Sequence, residues 1–163
     1  MSKQGLILVY QGGNNAKAER LIREALSITE KKLGNRNPKY AEELKSLAVV
    51  SIAQKKYDDA FNALELAEKI WVAKAGKRNN INAAEIYILT GDLFYHQYNY
   101  AKAEEYYNKA SRLYKKFFND QHPDYVNVIS KLSKVYYMQG NTRDAEDKIN
   151  EAIDSYNIYI KTL

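Results

Sequence analysis

The side chains of this 163-residue chain that could do chemistry are mostly its bases. Lysine and arginine number 25 against 20 aspartates and glutamates, a formal charge of +5. The bases recur in clusters: Lys31, Lys32, Arg36 and Lys39, then Lys74, Lys77 and Arg78, then Arg112, Lys115 and Lys116. A basic strip along one edge could take phosphate, so nucleic acid is one candidate partner. The competing reading is local, because bases that close a helix complement the negative end of its dipole without any ligand. Other chemistry is thinly supplied. Cysteine is absent, which excludes disulfides, thiolate metal sites and a cysteine nucleophile. The two histidines, His96 and His122, are too few for a histidine-rich metal site, so no metal is expected. His122 stands before Pro123 and is expected as a turn or cap residue. The chain has no nucleophile elbow, phosphate loop, zincin motif or dinucleotide fingerprint. Gly12-Gly13-Asn14-Asn15 is rich in glycine, but it has neither a strand before it nor a lysine after it, and it is read as a helix turn. The expectation is a non-enzyme that carries no cofactor.

The elements that position these groups follow from an internal repeat. Ala18, Ala60, Ala103 and Ala145 are spaced by 42, 43 and 42 residues. Seven residues after each comes a second alanine: Ala25, Ala67, Ala110 and Ala152. Twenty-two residues before the last three stand Pro38, Ile81 and Pro123. The one-residue excess falls at Lys77-Arg78-Asn79-Asn80, a loop where an insertion costs little. Within each unit the apolar residues recur at three-and-four spacing, the helical period. Glycine, asparagine and proline separate the runs. Eight helices are predicted, over about 2–11, 15–33, 39–54, 57–75, 82–97, 100–118, 124–139 and 142–161. The fold class is all-α: antiparallel helix pairs in one domain over 1–163, with units of about 1–37, 38–80, 81–122 and 123–163. Small side chains let two helix axes approach to about 8 Å rather than 10 Å. The paired alanines are assigned that role, with Ala48, Gly91 and Ser133 as their small counterparts on the first helix of each pair.

Tyr87, Thr90-Gly91, Phe94, Tyr100, Ala103, Tyr107 and Ala110 resemble the tetratricopeptide repeat (TPR) pattern. The usual period is about 34 residues. The longer period here, with Leu33-Gly34, Asn37-Pro38, Tyr40-Ala41 and His122-Pro123-Asp124-Tyr125, is similar to the kinesin-light-chain-like subclass. The resemblance covers nearly the whole chain. It implies a right-handed superhelical stack, an α-solenoid whose first helices line a concave side. Projected on that register, the concave groove receives Glu42, Lys45, Val49 and Ile52 from one unit. Glu85, Ile88, Asp92, Tyr95 and His96 follow from the next, and Asn127, Ser130, Lys134, Tyr137 and Met138 from the last. Apolar and aromatic groups flanked by charges of both signs suit a protein or peptide. The subclass usually grips a peptide backbone with asparagines before the small residue of the first helix. Here those places read Lys45-Ser46, Ile88-Leu89 and Ser130-Lys131, and Val49 and Asp92 stand where a carboxylate clamp needs asparagine.

The implied function is a non-catalytic interaction scaffold that binds a peptide or partner helix. The alternatives are a nucleic-acid-associated protein using the basic edge, or a sensor regulating a domain outside this chain. Leu6-Ile7-Leu8-Val9-Tyr10 near one end, and Ile149, Ile153, Tyr156, Ile158, Tyr159, Ile160 and Leu163 near the other, are apolar where polar caps are expected. The chain is therefore expected to be a segment of a longer array, or to self-associate through its ends. No run is apolar enough to span a membrane, and no signal peptide is read at the start, so a cytoplasmic location is expected.

Overall fold

A computed structural model of the protein describes residues 2–75 and 81–161. Gly76, Lys77, Arg78, Asn79 and Asn80, read above as a loop with two of the clustered bases, and Leu163, read in the last apolar face, lie outside the described residues. The described residues form eight helices and no strand: α1 (Ser2–Tyr10), α2 (Asn15–Leu33), α3 (Pro38–Ala53), α4 (Tyr57–Ala75), α5 (Asn82–His96), α6 (Tyr100–Phe118), α7 (Pro123–Met138) and α8 (Thr142–Ile160). No end departs from the sequence expectation by more than one residue. The helices start where side chains cap them. Asn14, Asn37, Asn99 and Asn141 each accept a bond from a backbone N–H two or three residues on. His122 is the cap of α7, its Nδ1 accepting from the Asp124 N–H at 3.2 Å. Pro38 and Pro123 occupy the first helical position, where their missing N–H costs nothing.

The turn inside each pair has one construction. Gln11, Gln54, Gln97 and Gln139 follow the first helix, and the next residue takes a left-handed backbone: Gly12 (φ 65°), Lys55 (60°), Tyr98 (60°) and Gly140 (78°). The N–H after that apex bonds back to a carbonyl five residues earlier. These bonds are Gly13 to Leu8 at 2.8 Å, Lys56 to Ser51 at 2.8 Å, Asn99 to Phe94 at 2.9 Å and Asn141 to Tyr136 at 2.9 Å. That 6→1 bond satisfies a carbonyl the helix leaves open and reverses the chain.

The chain divides into two compact units, Met1–Arg78 and Asn79–Leu163. In the first, α1 packs on α2 and α3, α2 on α3, and α3 on α4. In the second, α5 packs on α6, α6 on α7, and α7 on α8. Every alanine of the repeat, from Ala18 to Ala152, is buried. The close approaches are visible beside them. A Cβ added to Gly91 would stand 2.5 Å from the Tyr107 ring. The Ser133 hydroxyl donates to the Ala145 carbonyl at 2.8 Å. Gly5 plays the same part for α1, where a Cβ would lie 2.9 Å from Ile22 and 3.0 Å from the Ala18 carbonyl oxygen.

Successive pairs are also tied through the residue after the first marker alanine. Glu19 in α2 accepts from Lys56 Nζ at 3.0 Å, in the turn of the next pair, and from its own neighbour Arg23 at 2.8 Å. Glu104 in α6 accepts from Gln139 Nε2 at 3.1 Å, in the turn after α7, and from the Tyr136 hydroxyl at 3.2 Å. Arg23 first, and Lys56 next, hold the Glu19 carboxyl down to about 2 from an ordinary 4.5. A carboxyl depressed on folding favours the fold above the ordinary value, and that contribution is lost as pH falls toward 2. Glu19→Gln is therefore expected to be destabilising at pH 6 and close to neutral at pH 2, read as the difference in urea midpoints between the two conditions.

Candidate partner-binding face

In the first unit the register places Glu42, Lys45, Val49 and Ile52 on α3. Lys45 is buried and pairs with Glu42 at 3.0 Å, while Val49 and Ile52 are half-buried. In the second unit Glu85 and His96 on α5 are exposed and Ile88 is buried. Asp92 is tied inward, accepting from the Tyr107 hydroxyl at 2.6 Å and from Lys131 Nζ at 2.7 Å. Tyr95 is half-buried, edge-on to the Tyr100 ring with centroids 5.6 Å apart. On α7, Asn127 is exposed, and Ser130 turns its hydroxyl back to the Val126 carbonyl at 2.9 Å. Lys134, Tyr137 and Met138 are exposed. Lys45 and Ile88 thus do not stand on the open surface where the register was expected to put them. They occupy one register place, 43 residues apart, and both are buried there. At that turn the first helix faces its packing neighbours rather than solvent.

Four of the projected residues come together. Tyr95, Lys134, Tyr137 and Met138 line a cleft of about 420 Å³ in the second unit, completed by Ser133, Thr142, Ala145, Glu146 and Ile149. Its floor is the close contact of Ser133 with Ala145, where small side chains leave room between two helices. Its walls are the Tyr95 and Tyr137 rings, the Met138 thioether and Ile149. One cation, Lys134, and one anion, Glu146, stand on it. Such a surface offers apolar burial beside two opposite charges. Among the described residues no group of three or more metal-ligating side chains exists. Glu146 and Thr142 are not among the residues the sequence singles out, and Ile149, expected in the apolar face of the last helix, lines this cleft. They belong to the second helix of the pair, and the register expectation considered first helices only.

Some of the clustered bases among the described residues have local partners. Lys39 pairs with Glu43 at 3.1 Å and Lys115 with Asp120 at 3.5 Å. Lys115 also lies 5.7 Å from the Tyr125 ring centroid, and Lys116 lies 5.8 Å from that of Phe117. Arg36 and Lys74 border one open cleft in the first unit, beside Leu33 and Ile70. No helix among the described residues is long and apolar enough to cross a membrane.

The tetratricopeptide repeat family pattern matches residues 82–158 and again residues 5–39. Protein KINESIN LIGHT CHAIN-RELATED 1 of Arabidopsis thaliana is 23% identical over 141 residues, which is 86% of this chain. The chain spans only 23% of that relative's length. Among solved structures, BtubC (BKLC) from P. vanneervenii superposes with a TM-score of 0.83 at 19% identity, over 96% of this chain and 62% of its own. The nearly identical TPR-like repeats of a Podosopora anserina kinesin light chain superpose with a TM-score of 0.79 at 18% identity, over 99% of this chain and 74% of theirs. Both likenesses are of fold.

Proposed function

Because this chain belongs to the tetratricopeptide repeat family and is similar within it to kinesin light chains, we propose that it is a non-catalytic scaffold that holds a peptide or partner helix on the α5–α7–α8 cleft. Repeats of this family generally mediate protein–protein interaction. The observation that carries the reading is the convergence of Tyr95, Tyr137 and Met138 around Lys134, from two helices, on one apolar cleft. Aromatic side chains and methionine anchor protein contacts because they bury large area with few torsions to freeze. Tyr137 is largely exposed, so the free protein offers this area to water and a partner gains by covering it. The test is capture of native partners by the chain and by its Tyr95→Ala and Tyr137→Ala variants. Both variants are expected to keep their helicity, and the double variant is expected to lose the captured partners. Unchanged capture by a helical double variant would sink the reading.

A further inference from the structure

Beyond that scaffold reading, we infer that the first unit holds a small amphiphilic anion, an aliphatic chain with one carboxylate or phosphate head, in the groove between the α2–α3 loop and the second half of α4. Two clefts of about 330 and 500 Å³ make up the groove and share Asn35, Arg36, Ile70 and Ala73. Volumes of this size suit a small molecule. Ile70 is the buried part of the lining, and Leu33 and Leu66 are exposed by 55% and 41%. Arg36 and Lys74 are exposed, and neither makes a hydrogen bond or ion pair among the described residues. The half-buried Tyr40 hydroxyl makes no hydrogen bond among them either. Burial first, and the Glu30 charge second, hold that hydroxyl above its ordinary value, so it stays a donor. Glu30 opposes an anion beside Tyr40, so the head is assigned to Arg36 and Lys74 and the chain to Ile70 and Leu66. Lys69 pairs with Glu65 at 3.0 Å, with both ends in water. The polar side chains of the lining are thus almost all donors. A carboxylate or phosphate brings acceptors alone, whereas a peptide backbone brings as many donors as acceptors. A nucleic-acid strand would want exposed rings to stack on, and the exposed apolar groups here are aliphatic.

The second unit shows the same places filled from within. Tyr125 matches Tyr40, and Pro123 matches Pro38, 85 residues on. The backbones agree as well, since Gly34 (φ 82°) and Asn119 (φ 90°) take the same left-handed turn. Leu66 of the first unit is Glu151 in the second, and Glu151 accepts from the Tyr125 hydroxyl at 2.6 Å and from Lys148 Nζ at 2.7 Å. Arg36 and Lys69 are replaced by Gln121 and Asp154. Leu33 is replaced by Phe118, whose ring stacks on His122 with centroids 4.4 Å apart. The second unit therefore satisfies this place with its own side chains and makes it acidic. The first leaves it apolar, basic and open. Helix dipoles explain part of the charge, because Lys74 closes the last turn of α4. They do not explain Arg36, which stands two residues before α3, where the dipole disfavours a base.

The probes are decyl phosphate and decanoate, titrated into the chain by calorimetry below the concentrations at which they form micelles. Saturable binding of either supports the inference, and the tighter of the two names the head. Inorganic phosphate (the head without the chain) and decyltrimethylammonium (the chain with the opposite charge) are each expected to bind at least about tenfold more weakly. Leu66→Glu copies the second unit at an exposed place and gives Tyr40 an acceptor. With circular dichroism unchanged, it is expected to weaken probe binding at least about tenfold, and so is the double change Arg36→Gln with Lys74→Gln. The inference falls if neither probe binds, if inorganic phosphate or the ammonium binds as tightly, or if Leu66→Glu or the double change leaves the affinity unaltered. It also falls if the chain sediments with vesicles of phosphatidylcholine and phosphatidylglycerol but binds neither soluble probe, since the face is then a membrane contact. Tyr95→Ala and Tyr137→Ala are expected to leave probe binding as it is, and Leu66→Glu to leave captured partners as they are. The groove and the α5–α7–α8 cleft therefore stand or fall separately. Loss of probe binding in the two tyrosine variants would put the probe in the other cleft and overturn the inference.

Discussion

A leucine in place of Gly91 is expected to destabilise the α5–α8 unit by about 3 kcal/mol, at the upper end of what overpacking costs. Even the first added carbon has nowhere to go, at 2.5 Å and 2.6 Å from two atoms of the Tyr107 ring. The ring cannot swing aside cheaply. It is buried, and its hydroxyl is held by Asp92 at 2.6 Å. Gly91→Ala is expected to cost less than the leucine change, because it brings one carbon against the Tyr107 ring where leucine brings four, and it recovers about 1 kcal/mol of helix propensity. Far-UV circular dichroism in urea reads both, as a lowered midpoint with an unchanged slope. Arg112→Leu, on an exposed place of α6, is the comparison and is expected to stay within about 0.5 kcal/mol. Equal losses at 91 and 112 would mean that the two helices are not held at this distance. Tyr107→Leu in the Gly91→Ala background is expected to cost less than the sum of the single changes, because the clash is a property of the pair.

Asp92→Ala is expected to cost about 2 kcal/mol. Two donors converge on this carboxylate from different helices, the Tyr107 hydroxyl of α6 and Lys131 of α7. The Lys131 ammonium also lies 5.8 Å from the Tyr107 ring centroid, so the three groups form one contact. Burial first, and then the Asp92 charge, push the Tyr107 hydroxyl well above its ordinary value, which keeps it a donor at any working pH. Removing the carboxylate leaves a buried hydroxyl and a half-buried ammonium to be satisfied by water or not at all. Asp92→Asn keeps an acceptor for the hydroxyl but loses the charge, and is expected to fall between wild type and alanine. Urea midpoints for the three proteins check the order. An alanine variant as stable as wild type would show that water replaces both bonds without loss.

The helix limits were legible because their signals are local. Asn37-Pro38 and His122-Pro123 start α3 and α7, and the glycines at 12 and 140 mark the ends of α1 and α7. The marker alanines were legible for the same kind of reason, since a fixed period can be read without knowing what lies across the contact. The face of a helix is less local. Val49, Asp92 and Lys134 share one register place, yet Val49 is half-buried, Asp92 is bonded inward and Lys134 is open. What differs is the neighbour: Asp92 meets Tyr107 and Lys131, which no spacing within α5 reveals. Lys45 and Ile88 mislead in the same way, as register places whose depth depends on the next helix. Glu146 escaped notice because its meaning is comparative. It becomes informative only once Glu19 and Glu104 are seen to hold the turns of the pairs that cover them.

The bend that joins each pair is the same four times, though its apex is glycine at 12 and 140, lysine at 55 and tyrosine at 98. For a residue with a Cβ this backbone is uphill by roughly 1–2 kcal/mol. The apex residues therefore do not choose the bend; the helices on either side enforce it. The tips of this protein are thus interchangeable parts. A tip moved from one hairpin to another should keep its shape, provided that the apex is never valine, isoleucine or threonine, and the tips can diverge in sequence while the framework beneath them stays put.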